Sequence, residues 1–237
     1  MRFAWNAAPY SGGSDRENMD LFLSDWSRRE FGETTARDVA AVYARYFEIP
    51  YLKGDTWETC HGDNKLQWRL RNMTRTKSLE KARESETFAA TNRPYVAGLL
   101  AAAESLAGRV PADRQGFFAS HVLTPVRIHL HSLEILENYS AAMLSRDAGK
   151  AERALRAFDD LFNAMRRAES GKWPAWYFGE GFVGLEANRD LVRSLLAELR
   201  GEAAPPLHTP IDYPDLYRYQ EPFRTNFPRL YPQDLPW

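Results

Sequence analysis

Apolar residues recur every three or four positions along most of this chain, with polar and charged residues between them. This spacing places the apolar side chains along one face of an α-helix. The segments with this pattern are 14–32, 35–47, 65–107, 111–144, 147–169 and 185–199. The sequence therefore predicts an all-α fold, in which about five or six helices form one bundle.

Capping residues mark the first two predicted helices. Ser14 and Glu17 have the spacing of a capping box, in which each side chain satisfies a backbone N–H group of the other residue. Gly32 is typical of the position after the last turn of a helix, and Thr35 is the predicted N-cap of the second helix. The pattern thus predicts two helices that are joined by a short connection.

Three prolines lie within or beside the longer segments. Pro94 predicts a break near Asn92, because the residue before a proline is disfavoured in the helical conformation. Pro111 is a suitable first residue for a helix, and Pro125 predicts a kink within that helix. In the segment 147–169, the side chains predicted to be buried are Leu155, Phe158, Leu161, Phe162 and Met165.

The two ends of the chain depart from the helical pattern. Residues 1–6, Met-Arg-Phe-Ala-Trp-Asn, are either extended coil or a single strand whose backbone groups need neighbouring strands. We interpret residues 1–13 as a strand remnant and loop from the end of a missing barrel, and residues 14–200 as the helical bundle. Residues 201–237 are rich in proline and aromatic residues, and we expect an irregular C-terminal arm packed on the bundle.

Charge and composition exclude two classes of partner. The formal net charge is −1, so no basic surplus is available to neutralise phosphates, and we expect no nucleic-acid partner. We also expect no membrane partner, because no apolar run approaches the roughly 18–20 residues of a membrane span. Residues 1–20 lack the pattern of a signal peptide. Cys60 is the single cysteine and forms no intramolecular disulfide, which fits a reducing compartment and leaves both a cytoplasmic and a periplasmic location open.

Candidate catalytic and metal-binding residues are few. His121, His129 and His131 lie close in sequence, but they lack the carboxylate spacing of a zinc site, and we interpret them as packed or capping residues. Cys60 and His61 are adjacent, so in an extended loop their side chains point apart and make a poor nucleophile and base. We therefore predict no catalytic residue, no metal site and no cofactor in this sequence.

Trp5 and Asn6 are the candidate substrate-binding residues. At the carboxyl end of a barrel strand, their side chains would face the mouth of the active site. A tryptophan ring stacks on a sugar ring, and an asparagine amide both donates hydrogen bonds to hydroxyl groups and accepts them. In the alternative interpretation, Trp5 is a packing residue and Asn6 is a turn residue.

Three segments occur in an order that resembles the region after the catalytic barrel of bacterial glycoside hydrolases. They are Phe3-Ala4-Trp5-Asn6, Asp25-Trp26-Ser27-Arg28-Arg29-Glu30-Phe31-Gly32, and the helix with paired tyrosines from Ala36 to Tyr46. The resemblance covers residues 3–47 and is greatest to glycoside hydrolase family 115, the xylan α-glucuronidases. It implies a barrel upstream that carries the catalytic carboxylates, a helical bundle after it, and a sugar pocket lined in part by Trp5 and Asn6.

Two functions are consistent with these observations. In the first, the chain is the C-terminal helical region of a glycoside hydrolase; it supports the barrel, contacts oligo- or polysaccharide as part of the parent enzyme, and is not catalytic alone. The open edge of its strand also suits pairing into a homodimer. In the second, the chain is a stand-alone helical module that binds a protein or a ligand, with Trp173, Trp176 and Tyr177 in the binding groove.

Overall fold

The computed structural model describes residues 12–51, 69–70, 73–74, 76–168 and 185–205. Within these ranges the regular secondary structure is helical and contains no strand, which confirms the predicted all-α fold. The predicted N-terminal strand and the C-terminal arm beyond residue 205 lie outside the described residues.

Six long helices and one short helix make up the described part of the chain. They are α1 (Asp15–Phe31), α2 (Glu33–Phe47), α3 (Leu79–Ala107), α4 (Gln115–Phe118), α5 (Thr124–Ser145), α6 (Ala148–Ala168) and α7 (Leu185–Arg200). A 3-10 turn, Ala112–Arg114, precedes α4, and a π-helical turn, Ala119–Leu123, links α4 to α5.

The chain divides into two compact units. The first unit comprises Met1–Cys60 and Asn92–Leu130, and the second comprises His61–Thr91 and His131–Trp237. Both α3 and α5 therefore contribute residues to each unit. The domain boundaries expected from the sequence, at residues 13 and 200, remain predictions.

The capping box at the start of α1 forms as predicted. The backbone N–H of Ser14 donates to Oε2 of Glu17 at 2.8 Å, and the N–H of Glu17 donates to Oγ of Ser14 at 3.4 Å. The Ser14 hydroxyl also donates to the Glu17 carboxylate, and these bonds lower the pKa of that carboxyl. Asn18 then fixes the incoming chain, because its side chain bonds both the N–H and the carbonyl of Gly13.

A single glycine joins α1 to α2. Gly32 has φ of 80° and ψ of 162°, a region of backbone space that glycine alone adopts readily. Its N–H donates to the carbonyl of Arg28, and its own carbonyl accepts from the N–H of Ala36. Gly32 thus ends one helix and begins the next, and we call this helix–glycine–helix element, residues 15–47, the hairpin.

The prediction that Thr35 caps α2 is wrong. The helix begins at Glu33, and Thr35 is buried inside its first turn. The Thr35 hydroxyl donates to the carbonyl of Phe31 at 2.6 Å. Because Phe31 is the last residue of α1, its carbonyl has lost its helical partner, and the Thr35 hydroxyl satisfies it.

The prediction of a break near Asn92 and Pro94 is also wrong. The α3 helix runs continuously from Leu79 to Ala107, and Pro94 lies on its exposed side, where water can bond the carbonyl that a proline leaves unpaired. The interruption of the predicted helix 65–107 falls instead at Lys77, whose φ of 48° is incompatible with a right-handed helix. Ser78 then caps α3, as its hydroxyl accepts from the N–H of Lys81.

Near Pro125 the helical backbone departs from α geometry, as the sequence suggests. A proline cannot donate to the carbonyl four residues earlier, which here belongs to His121. The π-helical turn Ala119–Leu123 precedes this site, and the Tyr43 hydroxyl donates to the His121 carbonyl at 3.1 Å. A side chain from α2 thus replaces the hydrogen bond that Pro125 removes.

Aromatic rings form the centre of the first unit. The Trp26 ring lies edge-on to Phe31 and Tyr43, with centroids 5.4 Å and 4.8 Å away. Phe31 is fully buried and also contacts the rings of Phe117 and Phe118, at 5.9 Å and 5.7 Å. We call these five rings the aromatic cluster. It joins the hairpin to α4 through one edge-to-face contact, Phe31 with Phe118, and through tilted contacts with Phe117.

Alanine residues form much of the contact face of α6 in the second unit. The prediction that Phe158, Leu161 and Met165 are buried is confirmed, whereas Leu155 and Phe162 are only half-buried. The remaining buried positions of α6 are Ala151, Ala154, Ala157, Ala164 and Ala168. Helix α6 packs against α7. Small side chains let two helices approach closely, and Phe158 and Leu161, both fully buried, fill the space between the alanines.

Replacing Gly32 tests the geometry of the hairpin. An added Cβ at Gly32 would meet no atom within 4 Å, so the penalty of Gly32→Ala comes from the backbone conformation alone. We expect the free energy of unfolding, measured by urea denaturation, to fall by about 1–3 kcal/mol.

Gly116→Ala is the matched control, since Gly116 is exposed in α4, its new Cβ would also be uncrowded, and its φ is not positive. The free energy of unfolding of this variant should rise by roughly 0.5–1 kcal/mol, because alanine has a higher helix propensity than glycine. Equal stability of Gly32→Ala and the wild-type chain would show that the connection does not require glycine.

Candidate functional site

The second unit contains a pocket of about 590 Å³, which we call the Tyr139 pocket. Residues of α5 and α7 form most of its wall, and the segment that leads into α3 completes it. Its size is within the range of small-molecule sites, roughly 300–1,000 Å³.

Most of the pocket wall is apolar. Five aliphatic side chains contribute to it, namely Leu79, Met143, Leu144, Leu191 and Leu195. Leu79 is one of the few large apolar side chains in the described chain with substantial exposure, at 47%. An open pocket with this lining favours a ligand that has an apolar body.

Hydroxyl groups form a polar region of the same pocket. The Thr74 hydroxyl donates to the carbonyl of Leu70 at 2.8 Å, and its oxygen lies 2.5 Å from the Tyr139 hydroxyl. Because Thr74 has used its single proton, Tyr139 is the donor in this second bond. Burial raises the pKa of Tyr139, so the hydroxyl keeps its proton at neutral pH. The Tyr139 oxygen still has the capacity to accept a further hydrogen bond.

Ser194 is the unusual polar residue of the pocket. Its Oγ atom is inaccessible to solvent and has no hydrogen-bond partner within the described part of the chain. A serine in a helix commonly bonds the carbonyl four residues earlier, and Ser145 in α5 does so with Ala141. The Ser194 hydroxyl therefore differs from that of Ser145, since it has no partner among the described residues.

Four charged residues line the pocket. Arg146 forms an ion pair with Glu198 at 2.8 Å. Together with Lys77 and Glu202, these residues give the pocket lining two positive and two negative charges. The end of α7 positions both glutamates, because Gly201, with φ of 69°, forms a Schellman motif. In this motif the N–H of Gly201 donates to the carbonyl of Glu198, and the N–H of Glu202 donates to that of Ala197.

The two cations have strained backbones. Lys77 has φ of 48° and Arg146 has φ of 56°, and among the described residues they are the only non-glycine residues with positive φ. The left-handed conformation is unfavourable for L-residues with a Cβ. Both residues directly follow a helical residue, Arg146 after the end of α5 and Lys77 after residue 76, which is the position where helices commonly end with a left-handed residue.

A second polar cluster lies in the first unit around His129. The imidazole is nearly buried, and each ring nitrogen contacts a tyrosine hydroxyl: Nε2 lies 3.2 Å from that of Tyr46, and Nδ1 lies 2.7 Å from that of Tyr51. A neutral imidazole has one N–H donor and one acceptor, so one tyrosine donates and the other accepts. The cluster is hydrogen-bonded within itself and leaves no ring nitrogen for a metal ion.

The other two histidines of the sequence cluster bond their own helices. His121 stacks on Phe117, with ring centroids 4.0 Å apart, and its Nδ1 contacts the Phe117 carbonyl. Nδ1 of His131 lies 2.9 Å from the Glu134 carboxylate. No group of three or more His, Cys, Asp or Glu side chains in the described ranges is arranged to hold a metal ion.

The predicted site residues Trp5 and Asn6 lie outside the described residues, as do Cys60, His61 and the Trp173–Tyr177 segment. Sequence reasoning did not identify the Tyr139 pocket. Thr74, Tyr139 and Ser194 belong to three separate segments, and no local spacing relates them. The local sequence gives no signal for Tyr139, because the polar residues Glu137 and Asn138 directly precede it in α5.

Comparisons of the chain with protein-family models, with curated proteins and with solved structures give no match. None of the described helices is both long enough and apolar enough to cross a membrane.

Two substitutions of Arg146 separate backbone strain from charge at the pocket. Both Arg146→Gly and Arg146→Ala remove the exposed ion pair with Glu198, which contributes little. Only glycine adopts a positive φ without a steric penalty. The free energy of unfolding should therefore be about 1 kcal/mol larger for the glycine variant than for the alanine variant.

Ser145 supplies the control, since it is the last residue of α5 and has ordinary helical geometry. At this position the order should reverse, with alanine more stable than glycine by roughly 0.5–1 kcal/mol. If alanine is also the better residue at position 146, the left-handed conformation does not describe the protein in solution.

Proposed function

We propose that this chain is the helical region that follows the catalytic barrel of a glycoside hydrolase, and that it supports the barrel rather than catalysing alone. The observation that carries this proposal is the hairpin. The residues behind the resemblance, Trp26, Phe31, Gly32 and Tyr43, form one packed element in which the glycine connects the helices and the rings meet.

The distribution of carboxylates supports a non-catalytic role. A glycosidase places two carboxylates across one bond in a concave site. Within the described ranges Asp190 is the single buried carboxylate, and Arg193 bonds it at 2.9 Å. Exposed carboxylates such as Asp38, bonded by Arg109 at 2.7 Å, lie on helix surfaces. The catalytic pair would therefore come from the barrel, with Trp5 and Asn6 lining the sugar pocket.

The first test compares the isolated chain with the product of its complete natural reading frame. We expect the isolated chain to show no hydrolysis of aryl glucuronides, xylosides or hexosaminides, and the longer protein with an upstream barrel to hydrolyse at least one of them. Robust turnover by the isolated chain, lost on replacing one Asp or Glu within it, would refute the proposal.

The second test places Trp5→Ala in the parent enzyme. Loss of a stacking face should weaken the transition-state complex by about 1–3 kcal/mol, which corresponds to roughly a 5- to 150-fold fall in kcat/KM. Phe47→Ala is the matched control: Phe47 is an aromatic residue with 53% exposure, and its removal should leave kcat/KM unchanged. An unaltered kcat/KM for Trp5→Ala would remove this residue from the sugar pocket.

One observation favours a second candidate function, a stand-alone module that binds a ligand. The Tyr139 pocket belongs wholly to this chain and has both apolar and polar lining. The upstream reading frame discriminates between the candidates, because an in-frame barrel supports the first function and a start codon at Met1 supports the second.

A further inference from the structure

We draw no further inference here: the strongest candidate, the Tyr139 pocket between α5 and α7 in the second unit, is an open apolar pocket, and nothing in the described part of the chain shows what covers it, since the unpartnered Oγ of Ser194 in its wall is inaccessible to solvent.

Discussion

Backbone carbonyls that lose their helical partners constrain the first unit more than any other group. At the hairpin, the Phe31 carbonyl is bonded by the Thr35 hydroxyl. At the π-helical turn the His121 carbonyl accepts from Tyr43, and at the end of α2 the Arg45 carbonyl accepts from Tyr95 at 2.8 Å as well as from the N–H of Glu48. A buried carbonyl left unpaired is costly, so the buried Thr35 bond is the most important of the three, whereas the bonds from Tyr43 and Tyr95 are exposed. The contacts of the aromatic cluster depend on these positions.

Both units contain buried polar atoms that lack a partner among the described residues, and in the first unit this atom is Oγ of the fully buried Ser27. In the second unit, Ser194 and Asn188 carry buried polar atoms without hydrogen-bond partners in the described chain, and Asn188 is fully buried. Asn188 does not line the Tyr139 pocket, and nothing in the structure explains its unpaired amide. Ser194 lines the Tyr139 pocket, but its Oγ atom is inaccessible to solvent, so a group inside the pocket does not reach it.

Local chemistry made part of this fold predictable. The capping box of Ser14 and Glu17 and the glycine connection at Gly32 depend on neighbours within four residues, and both form as the sequence indicates. The role of Thr35 was not predictable from local sequence. Its hydroxyl bonds the Phe31 carbonyl, and that carbonyl is free to accept only because the chain turns at Gly32. Pro94 was misjudged because sequence does not show which side of a helix meets water. The contact of Thr74 with Tyr139 joins residues 65 positions apart and has no local signal.

The tyrosine hydroxyls show how the two candidate functions use different parts of the chain. In the first unit, the hydroxyls of Tyr43 and Tyr95 bond carbonyls, and those of Tyr46 and Tyr51 contact His129. These groups hold the hairpin and its neighbours in place, which suits an element that supports a catalytic barrel. In the second unit, the Tyr139 hydroxyl bonds Thr74 beside the apolar wall of the Tyr139 pocket. Support and ligand binding therefore use different residues, and substitutions in the Tyr139 pocket can test binding without removing the contacts on which the hairpin depends.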